Sequence, residues 1–272
     1  MRRCEGWLRC STLRRELRDG RMPPMNNYWR SPLLLAACVA RMATAHDIDL
    51  KVPPADPARG EIVKMVDRGQ RQVEAFFHLR FAEAIHFTVV PGRAEFDAAF
   101  PASWGMGKTE CWMVATGVAD FLVMLSPSVW KTAACEHNPD DATEVQRIVT
   151  HELVHMFHGQ HNPSRDFTGA DEVGWFVEGL AVLASGQLDA ERLSKTAAAV
   201  RAGDTPRTLN DSWTGPNRYG RAGSLVKYLD EKYGRRVILD LLPVMKQSEF
   251  LARVGVTEEQ LLRDWQAWLL SQ

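Results

Sequence analysis

Four of the chain's eight histidines fall within one run of eleven residues, 151–161. His151 and His155 stand four apart with Glu152 between them, the pattern H-E-x-x-H. On a helix, residues i and i+4 share a face one turn apart, so both imidazoles can reach a single ion. Glu152 then projects beside that ion, where its carboxylate can hold a water as a base. Two neutral ring nitrogens with a carboxylate base at their side make a catalytic zinc site once a third ligand arrives from elsewhere. The plainer alternative is a solvated helix face that happens to carry histidines, and their concentration in one run weighs against it.

This chemistry requires a helix, and the flanking residues support one. Val145, Ile148 and Val149 recur at helical spacing before the motif, with Asp140 or Asp141 available as N-cap. Further upstream, Pro53, Pro54 and Pro57 mark an extended lead-in over residues 46–57. Ile62, Val63, Met65, Val66, Val73, Phe76, Phe77 and Leu79 then trace an amphipathic helix over about residues 58–84. Residues 86–90 read as a strand stopped by Pro91-Gly92. A short helix or turn is expected over 93–100 and a helical piece over 128–135, either side of two further β segments. Those β segments, 111–115 and 120–125, flank a hairpin or bulged edge at 116–119. Beyond the motif, helices are expected over 172–185 and 188–202, then a long loop over 203–217. From Tyr219 the chain reads as helical almost to its end, punctuated by Gly234 and Gly255. Helix and strands first, then helices only, imply an α+β protein with the metal at the junction.

Charge is distributed unevenly along the 272 residues. Residues 1–45 hold nine Lys/Arg against three Asp/Glu, whereas the remainder holds 24 against 31. An acidic body argues against nucleic acid as a partner, because phosphate binding depends on clustered cations. The basic leader reads as a signal peptide: Arg30 precedes the apolar run 33–40, and Ala43-Thr44-Ala45 supplies an A-x-A cleavage site. That run is too short for a stable membrane span. Met25 would start a conventional short leader, which makes residues 1–24 a candidate upstream extension. The mature chain, residues 46–272, is then expected to be one exported domain, periplasmic or extracellular. Of the five cysteines it retains Cys111 and Cys135, which invite one disulfide just before the metal helix, with two buried thiols as the alternative.

Two residues compete for the third ligand position. His161 lies ten residues after His151, the spacing of the metzincin pattern H-E-x-x-H-x-x-G-x-x-H. The glycine of that pattern is displaced, since His158 stands in its place and Gly159 follows. No methionine between Met156 and Met245 could form the turn that metzincins place beneath the zinc. Glu178 is the stronger candidate. It is the one carboxylate in Trp175-Phe176-Val177-Glu178-Gly179-Leu180-Ala181, and burying it is costly unless it is paired or binds a metal.

The pairing of H-E-x-x-H with a downstream W-x-x-E-G-x-A resembles the gluzincin zinc metallopeptidases, in particular the bacterial peptidase-MA-like domains. The resemblance covers roughly residues 58–245 and is specific only at 151–155 and 175–181. The stretch from Tyr219 through Tyr228 to Tyr233-Gly234 is similar to the helix that follows in such domains. The resemblance implies a zincin-like fold with a small mixed sheet, an edge strand near 115–125 over the cleft, and a mainly helical C-terminal half. It also implies Glu178 as third zinc ligand, on the next long helix. An extended peptide could pair with the edge strand. The G-x-M-E-N motif of the aminopeptidase subgroup is not matched by Thr116-Gly117-Val118-Ala119-Asp120. The expected function is therefore hydrolysis of peptide bonds in a peptide or protein substrate. His151, His155 and Glu178 would bind zinc, Glu152 would act as the base, and Tyr219 is the candidate donor to the oxyanion. Asp171 and Glu172 are candidates to orient a zinc histidine. The competing readings are a zinc-binding interaction domain without catalysis, a metzincin-like peptidase using His161, and a hydrolase of another amide.

Overall fold

Two parallel strands need a crossover connection, and the first part of the chain supplies one. Strand β1 (Ile48–Lys51) leads through helix α1 (Arg59–Phe77) to β2 (Ile85–Val90), which lies parallel to β1. Strand β4 (Phe121–Leu125) runs parallel to β2 on its other side, and β3 (Ala115–Val118) closes the sheet as an antiparallel edge. The order is β1-β2-β4-β3. The structure, a computed structural model, describes residues 48–105 and 107–272. Among them are these four strands and ten α-helices, an α+β arrangement with a small, open, mixed sheet. The expected leader, residues 1–45, lies outside the described residues.

Burial explains the strand sequences. Leu122 to Leu125 of β4 are all buried, so this interior strand reads as a continuous apolar run, whereas β1 at the edge alternates with the solvent. A hairpin joins β3 to β4 as expected, but its turn is Ala119-Asp120: residues 116–118, expected in the turn, are strand, and residues 111–114, expected as strand, are not. The carbonyls of Cys111 and Met113 accept from the guanidinium of Arg93, which also bonds Ala133, so this stretch is tied to a side chain instead of a ladder. Cys111 and Cys135 are joined in a disulfide, with Cα atoms 5.4 Å apart. Helix α1 likewise stops short of residue 84. His78 turns left-handed at φ 54°, and the side chain of Gln160 accepts the backbone N–H groups of Ala82 and Glu83 at 2.9 and 3.1 Å. The lead-in, expected only to be extended, contributes β1.

Short helices α2 (Arg93–Ala98) and α3 (Trp130–Ala133) precede the motif helix α4 (Ala142–Gln160). Asp141 caps α4 by accepting from the N–H groups of Thr143 and Glu144, a contact worth about 1 kcal/mol. From Val149 to Gly159 every residue of α4 is buried. It packs on α1, on β3 and β4, and on α5 (Gly174–Ala184), which makes it the hub of the core. Helices α6 (Ala190–Arg201), α7 (Arg218–Tyr233), α8 (Arg235–Leu241), α9 (Gln247–Val254) and α10 (Glu258–Leu270) complete the chain. Helix α7 lies tightly against α5: a Cβ on Gly179 would sit 2.4 Å from the Ala222 carbonyl oxygen. The glycine after Glu178 thus fixes the helix that carries it. Among the described residues, no helix is long and apolar enough to cross a membrane.

Candidate metal centre

Helices α4 and α5 bring His151, His155 and Glu178 together, and these three residues form a group able to hold a metal ion. Nε2 of His151 lies 3.0 Å from Nε2 of His155. Oε2 of Glu178 lies 3.4 Å from the first and 3.6 Å from the second. A tetrahedral zinc with bonds of about 2.0–2.1 Å separates its ligand atoms by about 3.3 Å, so the three distances fit three corners of one tetrahedron. Both histidine side chains are 9% exposed and that of Glu178 is 29% exposed, which leaves the cluster open on one side only.

The hydrogen bonds on the far side of the rings support the same orientation. Nδ1 of His151 lies 2.9 Å from Oε1 of Gln187. A carbonyl oxygen only accepts, so Nδ1 carries the hydrogen and Nε2 presents its lone pair to the cluster. Nδ1 of His155 is buried without a partner. In the metal-free protein the charges compensate one another. Burial alone would lift the Glu178 carboxyl, but His155 and His151 outweigh it and hold it far below the usual carboxylate range. Burial opposes a proton on His155, yet Glu178 and Glu152 raise its pKa overall. An ion at this point would take over the role of that proton.

Glu152 is buried beside the cluster. Burial raises its pKa, the two histidines lower it, and the N–H of Gly117 donates to its carboxylate. That N–H belongs to the edge strand. A Cβ on Gly117 would lie 2.5 Å from the carbonyl oxygen of Glu152, so only glycine lets β3 press this closely on α4. The third glycine-dependent feature of the sequence, the displaced Gly159, falls in the same packing of α4 and does not bring His161 inward. His161 caps α4, bonds the Phe157 carbonyl through Nδ1 at 2.8 Å, and stacks on the Phe157 ring. It is not part of the metal-capable group.

Tyr219 lies in the first turn of α7, half-buried, and lines the cleft together with His151 and Glu152. Burial raises its pKa and the nearby Glu178 adds to the effect, so the phenol keeps its proton and remains a donor. The cleft has two lobes that share these three residues and also Trp112, Met113, Ala115 and Arg218. The larger, of 560 Å³, adds Phe167, Val177 and Trp213; the smaller, of 390 Å³, adds Arg147 and Arg192. Trp213 comes from the loop before α7, whose position sequence alone leaves open. Glu172 is not an orienting residue, since it is exposed and bonds Lys246 Nζ and the Gln247 N–H. Asp171 is exposed at the cleft. Sequence reasoning missed Gln187, which sits in the turn after α5 with no motif to mark it, and the Gly117 N–H. It also missed Arg218, although that residue directly precedes Tyr219. The chain matches no protein-family model, no curated protein and no solved structure.

Proposed function

We propose that this chain is a zinc-dependent hydrolase of the gluzincin type, a zincin-like metallopeptidase that cleaves peptide bonds in an exported compartment. The observation that carries the reading is the convergence of two imidazole nitrogens and one carboxylate oxygen at 3.0, 3.4 and 3.6 Å, with a second carboxylate, that of Glu152, beside them. His151, His155 and Glu178 would hold the ion through Nε2, Nε2 and Oε2. Zinc bound there supplies Lewis-acid polarisation of the attacking water and of the scissile carbonyl.

The remaining work falls to the chain's own residues. Gln187 fixes the tautomer of His151. The Gly117 N–H favours the carboxylate form of Glu152, which would accept the proton of the water and return it to the leaving amine. The Tyr219 hydroxyl donates to the oxyanion that develops on the carbonyl. Strand β3 is the sheet edge at the cleft, where an extended peptide could lie alongside it. A structural metal site would not need a buried base. Glu152 occupies such a position, which favours catalysis over a zinc-binding interaction domain.

The test is metal content together with turnover. Purified protein is expected to hold about one zinc per chain and to cleave members of a peptide library in a chelator-sensitive way. Glu152→Gln is expected to keep the zinc and lose at least about 100-fold in kcat. A folded chain that binds no zinc, or undiminished cleavage by Glu152→Gln, would overturn the reading.

A further inference from the structure

The smaller lobe of the cleft carries charge that the chemistry described so far does not use. Of its three arginines, Arg147 is committed, with Nη1 2.9 Å from Oδ2 of Asp189. Arg192 and Arg218 are not: among the described residues neither takes part in an ion pair, although both are half-buried. They flank Tyr219, their guanidinium carbons 5.8 and 5.2 Å from its ring centroid. Arg218 also lies over Trp112 and Trp213, at 5.8 and 5.4 Å, and its Nε is buried without an acceptor. The aromatic faces hold the guanidinium in place and shield it from water, but they leave its in-plane donors without an anion.

Of the acids in and beside this lobe, Glu152 is the base assigned above and the others do not supply that anion. Asp141 is occupied by the N-terminus of α4, Glu144 bonds Nδ1 of His137 at 3.1 Å, and Glu136 is exposed. Asp189 divides its oxygens between Arg147 and the backbone N–H of Arg192. Arg218 bonds the neutral Tyr219 hydroxyl, and Arg192 feels Asp189 without forming an ion pair with it. Two half-buried guanidinium groups in the same lining as His151 and Glu152 therefore carry a desolvation cost that an incoming anion would offset. Beyond Arg218, which stands between the two lobes, the other lobe adds the apolar side chains of Phe167, Val177 and Trp213.

We propose that Arg192 and Arg218 form an anion subsite that holds a carboxylate of the substrate next to the bond that is broken. This rests on the hydrolase reading above and narrows it: the preferred peptides carry a negative charge on one side of the bond and an apolar side chain on the other. The carboxylate can come from a free C-terminus or from an Asp or Glu side chain. The forked donors of arginine match either source bidentately.

Binding without turnover tests the subsite separately from catalysis. Zinc-loaded full-length Glu152→Gln protein is titrated calorimetrically with two matched sets of peptides, each containing one apolar residue. In the first set the C-terminus is a free acid or an amide. In the second, both ends are blocked and Glu or Gln stands at successive positions. At least one acid is expected to bind about 10- to 100-fold more tightly than its amide partner, by the strength of charge-assisted hydrogen bonds. The set that shows the difference identifies the source. Arg192→Gln and Arg218→Lys, added separately, are expected to reduce that ratio to below about 3-fold, with zinc content and circular dichroism unchanged. Raising the salt concentration should reduce the same ratio in the unsubstituted subsite, a readout that needs no variant to fold. Acid-to-amide ratios within about 2-fold in both sets, or a ratio unmoved by either substitution, would overturn the proposal. A clear ratio without any hydrolysis by the Glu152-containing protein would leave the subsite standing and remove the peptidase reading. Hydrolysis without a ratio would do the reverse.

Discussion

Replacing Gln187 with leucine removes the acceptor that orients His151 without touching any metal ligand. Oε1 of Gln187 lies 2.9 Å from Nδ1 of His151, and the side chain is half-buried in the turn after α5. An ordinary neutral hydrogen bond contributes only about 0.5–1.5 kcal/mol. Here the donor is a ring whose other nitrogen faces the cation site, so the bond also fixes the tautomer and raises the basicity of Nε2. Loss of such a partner typically weakens metal affinity about 10- to 100-fold. By linkage, that lowers the stability of the zinc-loaded protein by about 1.4–2.7 kcal/mol when zinc is well above the dissociation constant. The metal-free protein should lose much less, since leucine fills a similar volume. Competition with a chromophoric chelator measures the affinity, and urea unfolding with and without zinc measures the stability. Gln187→Glu should bind zinc as tightly as glutamine or more so, because a carboxylate accepts the same hydrogen more strongly. Zinc affinity within twofold of wild type for Gln187→Leu would refute the reasoning, as would Gln187→Glu binding as weakly as Gln187→Leu.

Three further outcomes follow from the same geometry. Glu178→Gln should lose stoichiometric zinc while His161→Ala keeps it, as read by metal analysis after dialysis; the opposite pattern would move the third ligand to His161. Gly117→Ala places a methyl against the backbone of Glu152 and should cost about 1–3 kcal/mol in urea unfolding, with a fall in any hydrolytic activity. Buried His158 has its pKa lowered to about 3 by burial, although its Nε2 bonds the Leu242 carbonyl. An unfolded histidine gains its proton near pH 6.5, so the unfolded state binds more protons between these values and stability falls as pH drops below about 6.5. In chelator-treated protein His158→Gln should remove about 2–3 kcal/mol of the stability difference between pH 6.5 and 4.5; an unchanged acid slope would show that another group controls it.

The motif helix was legible because its constraints are local. Cap, apolar spacing and the i, i+4 histidines are all written within twenty residues, from Asp141 to Gln160. The same holds for β4, whose buried run follows from lying inside a small sheet, and for β2, whose Ile85, Phe87, Val89 and Val90 are buried while His86 is exposed. The candidacy of Glu178 was also readable, since a lone carboxylate in an apolar helix needs a partner wherever the helix packs. The errors came where side chains distant in sequence satisfy the backbone. The ladder of β3 ends where Val114 accepts from Leu125, because its partner strand reaches Pro127, and Arg93 bonds the carbonyls of Cys111 and Met113. Gln160 takes the N–H groups of residues 82 and 83, beyond the end of α1.

The sequence by itself determined which groups could bind a metal and that two of them share a helix face. Only the tertiary structure places Glu178, and not His161, beside the two histidines, because that depends on how α5 is pressed onto α4 and held there by α7 against Gly179. Tertiary packing also brought Gln187 behind His151, the Gly117 N–H to Glu152, and Arg192 and Arg218 to either side of Tyr219. None of these partners has a motif of its own. Each acquires its role from where packing places it, and hydrogen-bond and charge interactions act over a few ångströms in space, whatever the distance along the chain.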